Sequence, residues 1–500
     1  MSGTPAQRSS VGAITFRLVG FLFLVELTSG ILQGYYVPLV TQIAGSLRVT
    51  TADYNWTEAA QLLVSALVVP VLAKLGDMVG HKRILLISTA VTALASWALV
   101  VNGGSFAIFL IAFAVQGFYV VWLPLEVALI FDRGRRTRTG PSQTRRAAGF
   151  LVVALEAGAI IGALASSKVF GATGHSVPLT LVVPAACVTL VFFAILFGVP
   201  ESEPVPGRTL DVGGFVILTL ALLFITGGLT FLRLNGPASW TVWAPIAVGL
   251  ALFVPFGRWE LRHRDPAIDL RVLKRPTMWP VQLTAGLFGI SVLGAQIPLS
   301  AFAAADPAKL GYGLGLDPDV VSYLIGVYLV SLIVGAVLFP VFSRVATPRA
   351  ALIVAAFLVA IGYLLFLPMH DELWQVITNM VVAGIGSGAL VASLPAAAAA
   401  AAPRGQSGIA TGLTNTTKTV GGAFASAVFG VILHAGLSGD VSSGAGLGSY
   451  MVVWTICGVG ALLAAGLLFV VPKLAFADPI EAEGAIAPGA AAEAVAGSRE

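Results

Sequence analysis

Residues 75–83 read Leu75-Gly76-Asp77-Met78-Val79-Gly80-His81-Lys82-Arg83 and fill a short break between two strongly apolar runs. Gly76 and Gly80 permit a tight backbone reversal. Asp77 is expected just ahead of the second run, where a carboxylate favours a helix N-terminus. Lys82 and Arg83 follow at once and hold the loop at one face of a bilayer. One acid, two bases and a helix end make a network that can form in one conformation and break in another.

Composition agrees with a lipid solvent. Of 500 residues, 57% are hydrophobic and 10% charged, with mean hydropathy +0.93. Soluble domains carry about 25% charged residues, and a water-soluble fold cannot hide this much apolar surface. The net charge of +4 is small. Cys187 and Cys457 both fall in apolar runs, so no disulfide framework is implied. A short polar segment leads into an apolar run carrying Glu26, with no small-residue cleavage site after it. That reads as a retained first span and not as a signal peptide.

A spanning helix needs about 20 mostly apolar residues. Such runs fall at 17–39, 57–73, 84–101, 105–131, 148–171, 177–198, 211–232, 240–257, 276–303, 320–342, 350–367, 373–395, 408–432 and 449–471, fourteen in all. Turn residues such as Asn102-Gly103-Gly104 and Asn235-Gly236-Pro237 separate them. With the N-terminus in the cytoplasm, twenty-three of the 28 Lys and Arg fall in inside segments. Only Arg48, Arg233 and Lys309 fall outside, while Lys168 and Lys418 lie within spans. That bias supports an even number of spans with both termini cytoplasmic. The basic cluster Arg133–Arg146 reads as a topology anchor at anionic headgroups. Nothing aromatic interleaves it, so nucleic acid is not an expected partner. The tail after Pro472, rich in Ala, Gly and Glu, reads as disordered.

The loop 75–83 resembles motif A of the major facilitator superfamily, Gly-x-Leu-Ala-Asp-Arg-x-Gly-Arg-Lys, through Leu75, Asp77, Gly80 and Lys82. Residues 208–215 (Arg-Thr-Leu-Asp-Val-Gly-Gly-Phe) and 259–273 open and close an extra helix pair. The pair is similar to the linker of the fourteen-spanner drug:proton antiporters of EmrB/QacA type, particularly their actinobacterial members. Residues 405–422 resemble that family's thirteenth helix, and the likeness runs over about residues 17–471. It implies an all-α integral membrane protein with the major facilitator fold: two six-helix bundles plus two linker helices. The expected units are 1–200, 201–275 for the linker pair, 276–471, and the tail 472–500. It departs from the family in span 4, where Phe113 stands in place of an Arg three residues before Gln116-Gly117. It departs again in span 5, where Gly-Pro-x-x-Gly-Gly has become Gly158-Ala159-Ile160-Ile161-Gly162-Ala163. Gly158 and Gly162 still make a small-xxx-small face for helix packing.

An ionised carboxylate in a bilayer is costly. A buried acid that opens alternately to two sides can therefore load and release a proton, and a competing substrate is then exchanged for it. Glu26 lies about 14 Å into span 1, near mid-membrane. It stands for a coupling or substrate role, or for an acid neutralised by a polar neighbour. Glu156 in span 5 reads equally as a coupling acid or half of a structural pair. Glu126, near the end of span 4 and the arginine cluster, is expected in a gate salt bridge. Lys418, deep in span 13, reads as a structural or gating ion pair with a partner unnamed, or as a contact to an anionic substrate group. Gln116 stands beside these as a polar candidate, with Gln33, Gln61, Gln282 and Gln296. Trp122, Tyr35 and Tyr36 offer rings for an aromatic cavity.

Gly412-Leu-Thr-Asn-Thr-Thr-Lys418-Thr419 only imitates a phosphate loop, since Thr417 replaces its second glycine and no strand precedes it. The histidines lack metal-ligand spacing, so no metal or other cofactor is expected. The expectation is a non-enzymatic transporter of the plasma membrane, a monomer whose partners are lipid, protons and a small-molecule substrate. The resemblance implies proton-driven efflux of amphipathic drugs or related compounds. A specific exporter of one metabolite, or a non-transporting sensor on the same fold, are the alternatives.

Overall fold

The computed structural model describes residues 16–134, 140–202, 209–236, 238–263, 266, 268, 270–276, 278–401, 407–436 and 445–471. Fourteen of its helical stretches are long and apolar enough to cross a membrane. Spans 1–6 are Leu18–Ser46, Thr51–Val79, His81–Val100, Phe106–Ile130, Phe150–Ala172 and Val177–Gly198. Spans 7 and 8 are Val212–Leu232 and Trp240–Arg262. Spans 9–14 are Trp279–Ala304, Pro318–Ser343, Pro348–Leu365, Leu373–Pro395, Gly412–Ala435 and Leu447–Val470. Every expected run finds a helix. The tail after Pro472 and the side chains of the 133–146 basic cluster lie outside the described residues.

The ends move most at span 2. Thr50 Oγ1 accepts a hydrogen bond from the Asp53 amide at 3.0 Å, a side-chain cap that starts the helix at Thr51 and draws polar residues 53–55 into it. At its other end the helix outruns the apolar residues and keeps Lys74 and Asp77. Asp77 is thus in the last turn of span 2, a correction to its expected place at the head of span 3.

Spans 1–6 bury one core, with Leu22, Trp122, Leu151 and Val188 among its members. Spans 9–14 bury another, around Phe288, Phe302, Tyr450 and Trp454. Spans 7 and 8 pack against each other, and Leu218, Leu222 and Phe256 meet Leu62 and Leu63 of span 2 and Ala423 of span 13. Large apolar side chains such as Leu94 and Phe197 are left facing outward, as lipid requires.

Three spans are broken within the apolar layer, and each break is repaired. Span 1 changes to a tight 3₁₀ turn at Val37–Leu39, and the Val37 carbonyl accepts from Ser300 Oγ of span 9 at 2.6 Å. Span 4 does so at Gly117–Val121, where the Gly117 carbonyl accepts from Ser65 Oγ of span 2 at 2.9 Å. Span 9 turns at 293–295, and Gln296 Nε2 donates back to the Val292 carbonyl at 2.8 Å. Freed backbone groups in an apolar layer need such partners. The breaks in spans 1 and 9 share a pattern, Gly34-Tyr-Tyr-Val-Pro38-Leu39 against Gly294-Ala-Gln-Ile-Pro298-Leu299, which marks the two spans as counterparts in a repeat.

Spans 1 and 5 cross backbone to backbone. A Cβ at Gly158 would overlap the Leu27 carbonyl oxygen, and one at Gly162 would lie 2.8 Å from that of Ile31. In return, Gly30 and Gly34 meet the backbone of Leu155 and Ala159. Spans 9 and 13 repeat the crossing, with Gly289 against the Lys418 carbonyl.

Candidate functional site

The crossing of spans 1 and 5 positions a cavity of about 90 Å³ between the two six-helix groups. Gln33, Glu156, Gln296, Tyr328, Tyr363 and Lys418 supply its polar lining, on spans 1, 5, 9, 10, 11 and 13. Glu156 and Lys418 are its two charged residues among those described, one from each helix group, and each is a charged neighbour of the other. Both are half-buried, since they face this internal space. Lys418 thereby gains the partner that spacing did not name. The phenols are committed to the wall: Tyr328 donates to Ser387 Oγ at 3.3 Å and Tyr363 to the Ser291 carbonyl at 2.8 Å.

A second group of acids lies inside spans 1, 2 and 4. Glu26 and Glu126 are both 0% exposed, and neither carboxyl group finds a hydrogen-bond donor among the described residues. The charge of Glu26 is felt at the Glu126 carboxyl. The expected ion pair of Glu126 with the arginine cluster falls on side chains outside the described residues; among the described residues its charged neighbour is Glu26. Neither acid lines the cavity. Glu58, on the same face of span 2 as Tyr54, belongs to this region. One of its oxygens is sealed with no hydrogen-bond partner among the described residues. Sequence reading passed over it because it sits at the polar edge of the expected span.

Gln116 ties this region together. Its Nε2 donates to Tyr36 Oη at 2.8 Å and to Ser96 Oγ at 2.9 Å, and its Oε1 accepts from Gln61 at 3.3 Å. It is fully buried and away from the cavity. Trp122, Tyr35 and Tyr36 are core residues too, so the cavity's rings come from Tyr328, Tyr363 and Phe366 instead. Gln282 donates to Thr414, joining spans 9 and 13.

The loop between spans 2 and 3 is held by residues the sequence reading did not single out. Glu201, just past span 6, accepts from the Lys82 amide at 2.9 Å and lies 3.7 Å from Arg83 Nε. The carboxylate at the head of span 3 is thus Glu201, supplied from far along the chain, where the helix dipole favours it. The His81 amide donates to Ser202 Oγ at 2.8 Å, and its ring lies 3.3 Å from Asp77. Lys82 Nζ donates to the Leu196 carbonyl. Leu75 packs on the core of spans 1–6. Gly80 turns with φ +109°, and a Cβ there would lie 2.6 Å from Glu201 Oε1. Lys74 donates to the Pro266 carbonyl at 3.2 Å, tying span 2 to the segment after span 8.

The geometry fits a carrier: a central cavity with opposed charges, sealed acids in the neighbouring spans and a tied loop at one end. The profile of the Major Facilitator Superfamily matches residues 22–304, and that of the sugar (and other) transporters matches residues 291–473. The cephamycin export protein CmcT of Amycolatopsis lactamdurans is 29% identical over 80% of this chain and 81% of its own length. The multidrug efflux pump LfrA of Mycolicibacterium smegmatis is 26% identical over 89% of this chain and 86% of its own. The solved nucleoside transporter NupG superposes with a TM-score of 0.61 at 12% identity, covering 91% of this chain and 98% of that one. At that identity the likeness concerns the fold alone. Together with the fourteen spans and the cavity, these matches show that the chain belongs to the Major Facilitator Superfamily, as a multi-pass, non-enzymatic membrane transporter homologous to actinomycete drug and antibiotic exporters.

Proposed function

We propose that the chain is a proton-driven exporter of amphipathic organic compounds in the plasma membrane, working as a monomer by alternating access. The Lys and Arg bias sets both termini in the cytoplasm. Loop 75–83 then becomes the cytoplasmic gate loop, with Leu75, Asp77, Gly80, Lys82 and Arg83 as its working residues. The observation that carries the reading is the pair Glu26 and Glu126, two sealed acids without hydrogen-bond partners among the described residues. A carboxyl group so placed is stable only when neutral or when it opens to water, which makes proton exchange depend on conformation. Span 1 crosses span 5 backbone to backbone at Gly30, Gly34, Gly158 and Gly162, so Glu26 and the cavity residue Glu156 sit on two closely packed helices. The export roles of CmcT and LfrA agree with the direction of transport.

The test is efflux of a lipophilic dye from proteoliposomes under an imposed pH gradient. Dye movement that follows the gradient and collapses with a protonophore supports the reading. Movement indifferent to the gradient refutes proton drive.

A further inference from the structure

We propose that Glu156 and Lys418 form a paired docking site that selects substrates carrying both a basic and an acidic group on an apolar, ring-bearing body. The proposal rests on the exporter reading above and names the substrate class of that same cavity.

The cavity holds one carboxylate and one ammonium among its described lining residues, contributed by opposite helix groups. Its remaining wall adds no further charge among the described residues: Gln33 contributes a neutral amide, and the rest is apolar or largely engaged. Tyr328 and Tyr363 have spent their hydroxyl donors on Ser387 and Ser291, so they present ring surface. Gln296 has spent an amide N–H on the Val292 carbonyl, which leaves its Oε1 as an acceptor. An incoming cation would neutralise Glu156 but strand Lys418. An incoming anion would neutralise Lys418 but strand Glu156. A stranded charge in a water-poor site costs more than the new pair returns. A compound bearing both signs gives each of the two cavity charges a partner, with no charge left over. At about 90 Å³ the cavity fits the charged end of such a compound, and the ring-bearing body extends between the helix groups as they part.

The arrangement also fixes the sign of coupling. A proton on Glu156 removes the acceptor for the substrate's ammonium, so a doubly charged substrate and the proton compete, as exchange requires. A purely anionic compound gains from the same proton, because Lys418 is then free to hold it. Only the former class can be exchanged for protons at this site.

Three dansyl compounds with a common ring and near-equal chain test this on the purified full-length protein: Nε-dansyl-lysine, dansylcadaverine and N-dansyl-6-aminohexanoic acid. They are respectively zwitterionic, cationic and anionic at neutral pH, and dansyl fluorescence reports apolar binding. Nε-dansyl-lysine is expected to bind at least about tenfold more tightly than either of the others, and to weaken as pH falls. Glu156→Gln is expected to abolish that preference and to strengthen the anion. Lys418→Gln is expected to strengthen the cation. The charge swap combining Glu156→Lys with Lys418→Glu is expected to restore zwitterion binding, which separates a docking role from loss of fold. Equal binding of the three probes, or a ranking unmoved by Glu156→Gln in protein that still melts cooperatively, overturns the proposal. Gradient-driven dye efflux without zwitterion preference would sink this inference and leave the exporter reading intact. Zwitterion preference without any response to the gradient would do the reverse.

Discussion

Lys168, near the end of span 5, holds Asp319 at the start of span 10 at 2.7 Å and so bridges the two six-helix groups. His434, near the end of span 13, approaches Asp53 at the start of span 2 at 3.8 Å. His434 follows Lys168 by the same chain offset as Asp319 follows Asp53, so the two base–acid contacts are related by the internal repeat. Ser300 to the Val37 carbonyl and Asn55 to the Ser426 carbonyl join the groups at the same end. In the proposed orientation that end is extracellular, and these contacts close it. The first pair is exposed, so breaking it should do little to folding but should bias opening. Asp319→Asn or Lys168→Gln is expected to raise the population open at that end by a factor of about two to five, the modest size typical of an exposed pair. Distances between spin labels on spans 5 and 10 would show it, and the charge-reversed double variant should return the wild-type distribution. Unchanged distances in both single variants would rule out a latch.

Close contact between spans 1 and 5 gives a sharper structural test. Gly158 lies against the Leu27 carbonyl, whereas Gly20 in span 1 has open space around it. Gly158→Ala is expected to destabilise by about 1–3 kcal/mol, the usual cost of overpacking. Gly20→Ala should be neutral or slightly stabilising, because alanine is the better helix former. Thermal unfolding of the two variants in the same detergent would decide between them. Equal melting would mean the crossing can slide apart at little cost.

The loop between spans 2 and 3 can be probed at Gly80 and Glu201. Gly80→Ala meets both a left-handed backbone, φ +109°, and the Glu201 carboxylate. It is expected to cost about 1–3 kcal/mol and to slow turnover. Glu201→Gln keeps an acceptor for the Lys82 amide and should be milder than Glu201→Ala, which removes it. Transport rates at saturating substrate would rank them. A Gly80→Ala variant with normal rate and stability would show that the turn needs no glycine.

The spans were legible in the sequence because each is an apolar run near membrane length. Their ends were not, since span 2 begins on a Thr50 cap and continues past the apolar layer through Lys74 and Asp77. The acids Glu26 and Glu156 stood out as charges inside apolar runs. Glu126 and Lys418 stood out in the same way; that they neighbour Glu26 and Glu156, and that Glu201 past span 6 meets the loop between spans 2 and 3, did not, because one sequence carries no signal of such long-range pairing. The Gly-x-x-Val/Ile-Pro-Leu repeat of spans 1 and 9 was present in the letters. It becomes visible only when the two groups are set side by side, and with it comes the counterpart relation between Asp53 and Asp319.

Glu26 offers the most discriminating substitution. Its carboxyl group makes no hydrogen bond to any described residue, so Glu26→Gln removes no ion pair and strands no counter-charge. Stability is therefore expected to change by less than about 1 kcal/mol, and membrane insertion should be normal. Yet a glutamine cannot exchange a proton when the conformation changes. Efflux by Glu26→Gln is expected to lose its dependence on the imposed pH gradient, while dye binding at fixed pH stays within about threefold of wild type, a difference under 1 kcal/mol. The same substitution at Glu126, which feels the charge of Glu26, tests whether the two acids share one proton. If they do, either variant alone uncouples transport and the double variant is no worse. If gradient-driven efflux survives in Glu26→Gln and in the double variant, the sealed acids are not needed for coupling, and the proton competition at Glu156 is enough for exchange.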